Sequence, residues 1–185
     1  MDTYRGAPAL LTDMYELTMV DAALAAEKAN GTPMASRQTT FEIFGRRLPH
    51  DRRYGVVVGT GRLLEQLQNF QFTDEQIDYC SDFLSDDTLE WMRNFRFSGS
   101  ISGYREGDLY FPYSPILTVR GTFAECVILE TVLLSILNSD SAVASAASRT
   151  HAPLACASRR RFMRWTLQGP EPLITDMNSF QSSWP

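Results

Sequence analysis

The stretch from Phe97 to Leu137, FSGSISGYREGDLYFPYSPILTVRGTFAECVILETVLLSIL, constrains this chain most. It joins a Gly- and Pro-punctuated β ribbon to a segment that is apolar nearly all round. A helix apolar on every side has to be buried. A chain of 185 residues holds little else to bury it. The expectation is that this helix lies against a domain the chain itself does not supply.

Thr122 and Glu125 form a capping box that opens that helix. Asn138, Ser139 and Asp140 are expected to break it, with a small-residue helix from Ser141 to Arg149 beyond. Upstream, Ser98 to Arg120 reads as β structure, with Glu106, Gly107 and Asp108 as a hairpin turn and Ile116 to Val119 as a strand. Of the two acids on the apolar helix, Glu125 is assigned to capping. Glu130 is expected to pair with an arginine such as Arg120 or Arg149.

Earlier in the chain, Asp13 with Glu16 starts a helix that runs to Asn30, where Gly31 and Pro33 stop it. Leu17, Val20, Ala23 and Leu24 form its apolar stripe. Thr39 to Phe44 reads as a strand with two unlike faces, and Arg46 to Arg53 as a polar loop. Tyr54 to Val58 is short and apolar, suited to a central strand. Gly59, Thr60 and Gly61 lead into a helix bearing Leu63, Leu64, Leu67 and Phe70. Thr73 with Gln76 caps another helix reaching about Leu84, and a third covers Asp87 to Phe95. The fold class is α/β.

From Thr150 the composition changes. The last 36 residues carry four Arg, four Pro and four Ser, with no sustained apolar period. This segment reads as a poorly ordered tail. The chain thus divides into residues 1–149 and 150–185.

Net charge of −5 argues against nucleic acid or an anionic membrane as the main partner. The apolar run from Cys126 to Leu137 is interrupted by Glu130 and too short to span a bilayer. Cys80, Cys126 and Cys156 form no CxxC pair, and His50 and His151 have no metal-ligand spacing, so neither a disulfide framework nor a metal site is expected. The N-terminus lacks a signal-peptide pattern, and a cytoplasmic protein is expected.

Few residues point to chemistry unaided. Gly59-Thr60-Gly61 follows a strand and precedes a helix, as a phosphate loop does, but it lacks a third glycine and a GK[ST] ending, so a tight turn is the plainer reading. Arg46, Arg47, Arg52 and Arg53 could hold a phosphate or an acidic partner, with solvated loop charge as the plainer reading. Arg159, Arg160, Arg161 and Arg164 with Phe162 and Trp165 imitate a nucleic-acid patch within the tail. Tyr15 could stack on a flat ligand and offer its hydroxyl, or simply sit half-buried on an amphipathic helix.

LLTDMYELTM (Leu10 to Met19), FEIFGRRLP (Phe41 to Pro49), RRYGVVVGTGRLLEQL (Arg52 to Leu67), GYREGDLYFPYSPILTVRGTFAECVILETVLLSILN (Gly103 to Asn138) and DSAVASAASR (Asp140 to Arg149) resemble, in order, nicotinate phosphoribosyltransferase, in particular its actinobacterial forms. The resemblance implies the α/β N-terminal domain of a type II phosphoribosyltransferase, without the incomplete α/β barrel that follows it. It implies formation of nicotinate mononucleotide from nicotinate and phosphoribosyl pyrophosphate, with ATP and Mg²⁺, in NAD salvage. It also implies a homodimer whose active site lies at the subunit interface. Tyr15 of the TDMY element matches the tyrosine that contacts nicotinate across that interface, and Asp13 fixes the helix start.

No catalytic residue transfers, because the family's catalytic histidine lies in a later GTxxH-type barrel element absent here. Ser158, Arg159 and Arg160 imitate a family SRR element at the wrong spacing, and His151 does not match the catalytic position. The resemblance ends near Arg149. The expectation is a truncated reading frame, either inactive or surviving as a dimerisation or packing fragment.

Overall fold

The structure is a computed structural model that describes residues 12–49, 52–150 and 181–183. Its elements are α1 (Met14–Asn30), β1 (Gln38–Phe44), β2 (Gly55–Val56), α2 (Thr60–Gln68), α3 (Asp74–Cys80), α4 (Asp86–Arg93), β3 (Ser100–Gly103), β4 (Leu109–Tyr110), β5 (Leu117–Thr122), α5 (Phe123–Thr150) and β6 (Gln181–Ser183). The mixed helix and sheet content agrees with the α/β expectation.

One sheet has the order β3-β5-β1-β6, and β2 pairs with β4 in a separate ribbon. β5 runs antiparallel to both neighbours, with Phe41 opposite Val119 and Ile101 opposite the same residue. Directly opposed residues share a face, so Phe41, Val119 and Ile101 form one apolar row. β6 runs parallel to β1 beside Glu42 to Phe44. The rest of the expected tail lies outside the described residues.

α5 packs on β1, β2, β5, α1 and α2. Ala124, Cys126, Val127, Ile128, Leu129, Val132, Leu133, Ile136 and Leu137 are all buried. Each large side chain among them contributes about 1.5–3 kcal/mol by leaving water. This overturns the expectation that the helix waits for an external domain. The chain covers its apolar half with its own elements. By length and composition Phe123–Arg149 would suffice to cross a membrane, but half of its most apolar window is buried inside the protein.

The expected break at Asn138 to Asp140 is also absent, and α5 runs unbroken for 28 residues. Poor helix formers there cost only tenths of a kcal/mol each, and tertiary bonds offset that. Asp140 takes both Arg62 Nε and an Arg62 terminal nitrogen, at 3.1 and 2.7 Å. Ser141 Oγ bonds both the N–H and the carbonyl of Val58 at 3.1 Å, and Ser145 Oγ accepts from the Val56 N–H at 2.8 Å. Helix hydroxyls thereby satisfy the backbone edge beside β2 that a neighbouring strand would otherwise take.

The Glu106-Gly107-Asp108 turn forms, closed by the Asp108 N–H on the Arg105 carbonyl at 3.0 Å. It does not join a paired hairpin. β3 pairs with β5 and β4 with β2, so the turn passes the chain from one sheet to the other. α3 ends at Cys80, short of the expected Leu84.

Both expected capping boxes at α3 and α5 are present. Glu125 goes further than capping. Its Oε2 accepts from the Thr122 N–H at 2.7 Å and Oγ1 at 2.9 Å, and its Oε1 from the Ser98 N–H and Oγ, both at 2.8 Å. Burial alone would raise its pKa, but these four donors hold it below the usual carboxylate value. Removing the carboxylate strands two backbone donors at the junction of β5 and α5. Glu125→Ala is therefore expected to cost about 3 kcal/mol in urea denaturation. The exposed Glu90→Ala should cost less than about 0.5 kcal/mol.

Candidate functional site

Tyr15 stands in the first turn of α1, half exposed, between the exposed Met14 and Met19. Its neighbour Glu16 is fully buried at 0% exposure. One turn of α1 thus points a carboxylate into the protein and an aromatic ring out of it. α5 holds the carboxylate. Glu16 Oε1 accepts from the Thr131 N–H at 3.1 Å and Thr131 Oγ1 at 2.7 Å, and Oε2 from the Asp13 N–H at 3.2 Å. Thr12 Oγ1 adds a bond to the Ile128 carbonyl at 2.9 Å, which ties the start of α1 to α5. The Tyr15 hydroxyl reaches Glu16 Oε1 at 3.5 Å.

Carboxylates dominate this edge. Burial, then Glu130, Glu16 and Asp13, push the Tyr15 phenol up to about 12. Burial raises Glu16 to about 7, with Glu130 adding to the effect and the Thr131 bonds opposing it. Glu130 itself is raised by burial and by Asp13. Arg149, one of its two expected partners, is engaged elsewhere: it stacks on Tyr54 at 4.6 Å and bonds the carbonyls of Tyr54 and Ser145.

A second feature is a cleft of about 560 Å³ between the end of β1, β4 and α5. Arg46, Arg47 and Arg52 line it with Tyr54, Tyr110 and Ser145. Three of the four loop arginines singled out in the sequence therefore face one cavity. Tyr110 packs over Gly55, where any Cβ would lie 2.2 Å from its ring. The cleft wall thus requires glycine at that position.

The Gly59-Thr60-Gly61 turn opens α2, with Gly59 at φ 107. Its anion position is filled from within the chain. Glu106 Oε1 accepts from the Gly59 and Gly61 N–H groups at 3.0 Å and from Thr60 Oγ1 at 2.9 Å. A structural turn held by an internal carboxylate is what the geometry supports. His50, His151 and the arginines from Arg159 to Arg164 lie outside the described residues. Among the described residues no group of three or more His, Cys, Asp or Glu is placed to hold a metal ion.

Glu16 gives the edge a pH signature. Its folded pKa lies above the unfolded value of 4.5. The folded state therefore holds this proton more tightly, and the associated stability is complete below about pH 4.5 and lost as pH rises through about 7. Glu16→Gln is expected to flatten this decline and to raise stability at pH 8 by about 1–3 kcal/mol relative to its effect at pH 4.5. Urea denaturation of both proteins at the two pH values checks it. An equal pH slope in the variant would contradict the assignment.

The comparisons with known proteins converge. The family model for the nicotinate phosphoribosyltransferase (NAPRTase) N-terminal domain matches residues 10–138. Nicotinate phosphoribosyltransferase pncB1 of Mycobacterium tuberculosis is 59% identical over 140 residues, covering 76% of this chain and 30% of that protein. The Bacillus subtilis nicotinate phosphoribosyltransferase is 35% identical over 142 residues, covering 76% of this chain and 28% of its own length. In three dimensions the fold matches human nicotinic acid phosphoribosyltransferase with a TM-score of 0.70 at 28% identity, covering 81% of this chain and 29% of that one. The chain thus spans about 30% of the length of these relatives. With the family model, the sequence relatives and the matched fold all in agreement, the chain belongs to the nicotinate phosphoribosyltransferase N-terminal-domain family.

Proposed function

We propose that this chain serves as the N-terminal domain of a nicotinate phosphoribosyltransferase, with residues 1–149 as the functional unit and residues 150–185 outside it. It works in the cytoplasm, in NAD salvage. The intact site forms when an α/β barrel and a second subunit close over the α1 edge. In that site nicotinate and phosphoribosyl pyrophosphate react, with ATP and Mg²⁺ as the resemblance implies. The described residues do not form a Mg²⁺ donor set, so no step is assigned to metal here.

The observation that carries this reading is Tyr15, whose ring is half exposed while its neighbour Glu16 is locked to α5. An aromatic ring fixed in place, yet left out of the core, can stack on a flat pyridine at low entropic cost. In the reaction the pyridine nitrogen bonds to ribose C1 as the C1–O electron pair leaves with pyrophosphate. Tyr15 orients the ring for that attack. The bond-making chemistry belongs to the barrel, so the chain alone is a non-turnover form of the enzyme.

A second reading has its own support. The apolar half of α5 is sheltered by this chain alone, which suits a self-standing dimerisation or packing fragment with no activity. Complementation separates the two. Purified chain with nicotinate, ATP, Mg²⁺ and phosphoribosyl pyrophosphate is expected to form no nicotinate mononucleotide. Adding the remaining portion of the Mycobacterium tuberculosis relative should restore turnover. Tyr15→Ala should then raise KM for nicotinate about tenfold, equivalent to ~1.4 kcal/mol of ring contact. Turnover by the chain alone would overthrow the non-turnover reading. An unchanged KM in Tyr15→Ala would remove the ring contact, and failure of the barrel portion to restore turnover would favour the packing fragment.

A further inference from the structure

Nothing at the Tyr15 edge uses the arginines that follow β1. Arg46, Arg47 and Arg52 face the cleft of about 560 Å³ between the end of β1, β4 and α5. No Asp or Glu is among the described residues that line it. The ion pairs among the described residues engage Lys28, Arg62 and Arg93, so no carboxylate of that set takes up the cleft arginines. The Gly59-Thr60-Gly61 turn differs in this respect, because Glu106 fills its anion position from within the chain. Three like charges in one concavity repel one another unless an anion joins them.

The cleft has a fixed frame. Gly45, just before Arg46, gives its carbonyl to the Tyr113 N–H at 2.8 Å, and a Cβ there would lie 3.4 Å from the Tyr110 ring. Tyr113 holds that bond at φ 63, a left-handed conformation that few residues other than glycine adopt. Its ring lies 5.9 Å from that of Phe44. The Arg52 N–H returns to the Pro49 carbonyl at 3.3 Å. On the facing wall Arg149 stacks on Tyr54. Burial raises the Tyr110 phenol, while a hydrogen bond with Ser145 and the charges of Arg149 and Arg52 pull it down. Backbone held on either side of Arg46 and Arg47 reduces the entropy lost when they close on a ligand.

We propose that this cleft binds a small phosphate-bearing anion, with Arg46, Arg47 and Arg52 as its cationic contacts. A planar guanidinium meets phosphate oxygens two at a time, which makes arginine the side chain suited to such a ligand. Asn138 and Tyr54 also line the cleft and carry uncharged donors. The volume falls within the range of about 300–1,000 Å³ usual for small-molecule sites. A concavity of that size suits a small anion better than an acidic protein surface, which needs a wider contact. The cleft shares no lining residue with the Tyr15 edge, so the two readings stand or fall separately.

The test is calorimetric titration of the full chain with pyrophosphate, at low salt and without divalent cations. A Kd below about 1 mM is expected. Arg46→Gln combined with Arg47→Gln should weaken binding at least about tenfold. Both arginines are exposed, so the substitutions leave the core untouched. Lys28→Gln combined with Arg93→Gln removes the same charge outside the cleft and should keep the affinity within about twofold. Inorganic phosphate and ATP, titrated alongside, distinguish a single phosphate, a diphosphate and a nucleotide as the preferred source. No binding of pyrophosphate up to about 10 mM would overturn the proposal. Equal weakening in the two double variants would overturn it as well, since diffuse surface charge would then explain the binding. So would binding of a hexaglutamate peptide with no response to pyrophosphate, which would assign the arginines to an acidic protein partner.

Discussion

Burial of α5 is the interaction on which the other elements depend. Its apolar half lies against β1, β5, β2 and α1, and its N-terminus is fixed where Glu125 gathers donors from Ser98 and Thr122. Without that helix the sheet would have no covered face and the edge of β2 would lose the hydroxyls of Ser141 and Ser145. The start of α1 would lose the Thr131 contacts that seat Glu16. One helix therefore closes the core, completes a strand edge and positions the tyrosine.

The local signals in the sequence were legible because their physics is local. Thr122 with Glu125, Thr73 with Gln76 and the Gly31 stop each act over a few residues, and each is found in place. The errors all involve distant partners. Asn138 to Asp140 carries a real breaking propensity, but Arg62 and Val58 lie some 80 residues away and outweigh it. The turn at Glu106 is real too, yet which strands its flanks pair with depends on β2 and β5. An apolar helix also cannot reveal how much of itself the same chain covers. That is a property of the packed whole, and the expectation of an uncovered helix failed there.

The site was legible to a different degree. Tyr15 as a half-exposed tyrosine followed from its place on α1, but the role proposed for it came from the family resemblance alone. Its supports could not be foreseen. Glu16 and Thr131 are 115 positions apart, and nothing in either local pattern joins them. Glu16 looked like half of a capping box, which it is, while its second duty on α5 emerged only in three dimensions. Glu106 is similar: it reads as part of a turn, yet it fills the nest at the start of α2 and so settles what the Gly59-Thr60-Gly61 motif does.

These observations describe a domain with a finished interior and an edge, Tyr15 among carboxylates, turned outward. Hydrogen exchange along α5 in the isolated chain tests this most directly. Amides from Ala124 to Leu137 should exchange only through global unfolding, as slowly as the central strand β5. Rapid exchange there, with β5 still protected, would mean that the helix lacks its cover after all and that the interior is completed only by another polypeptide.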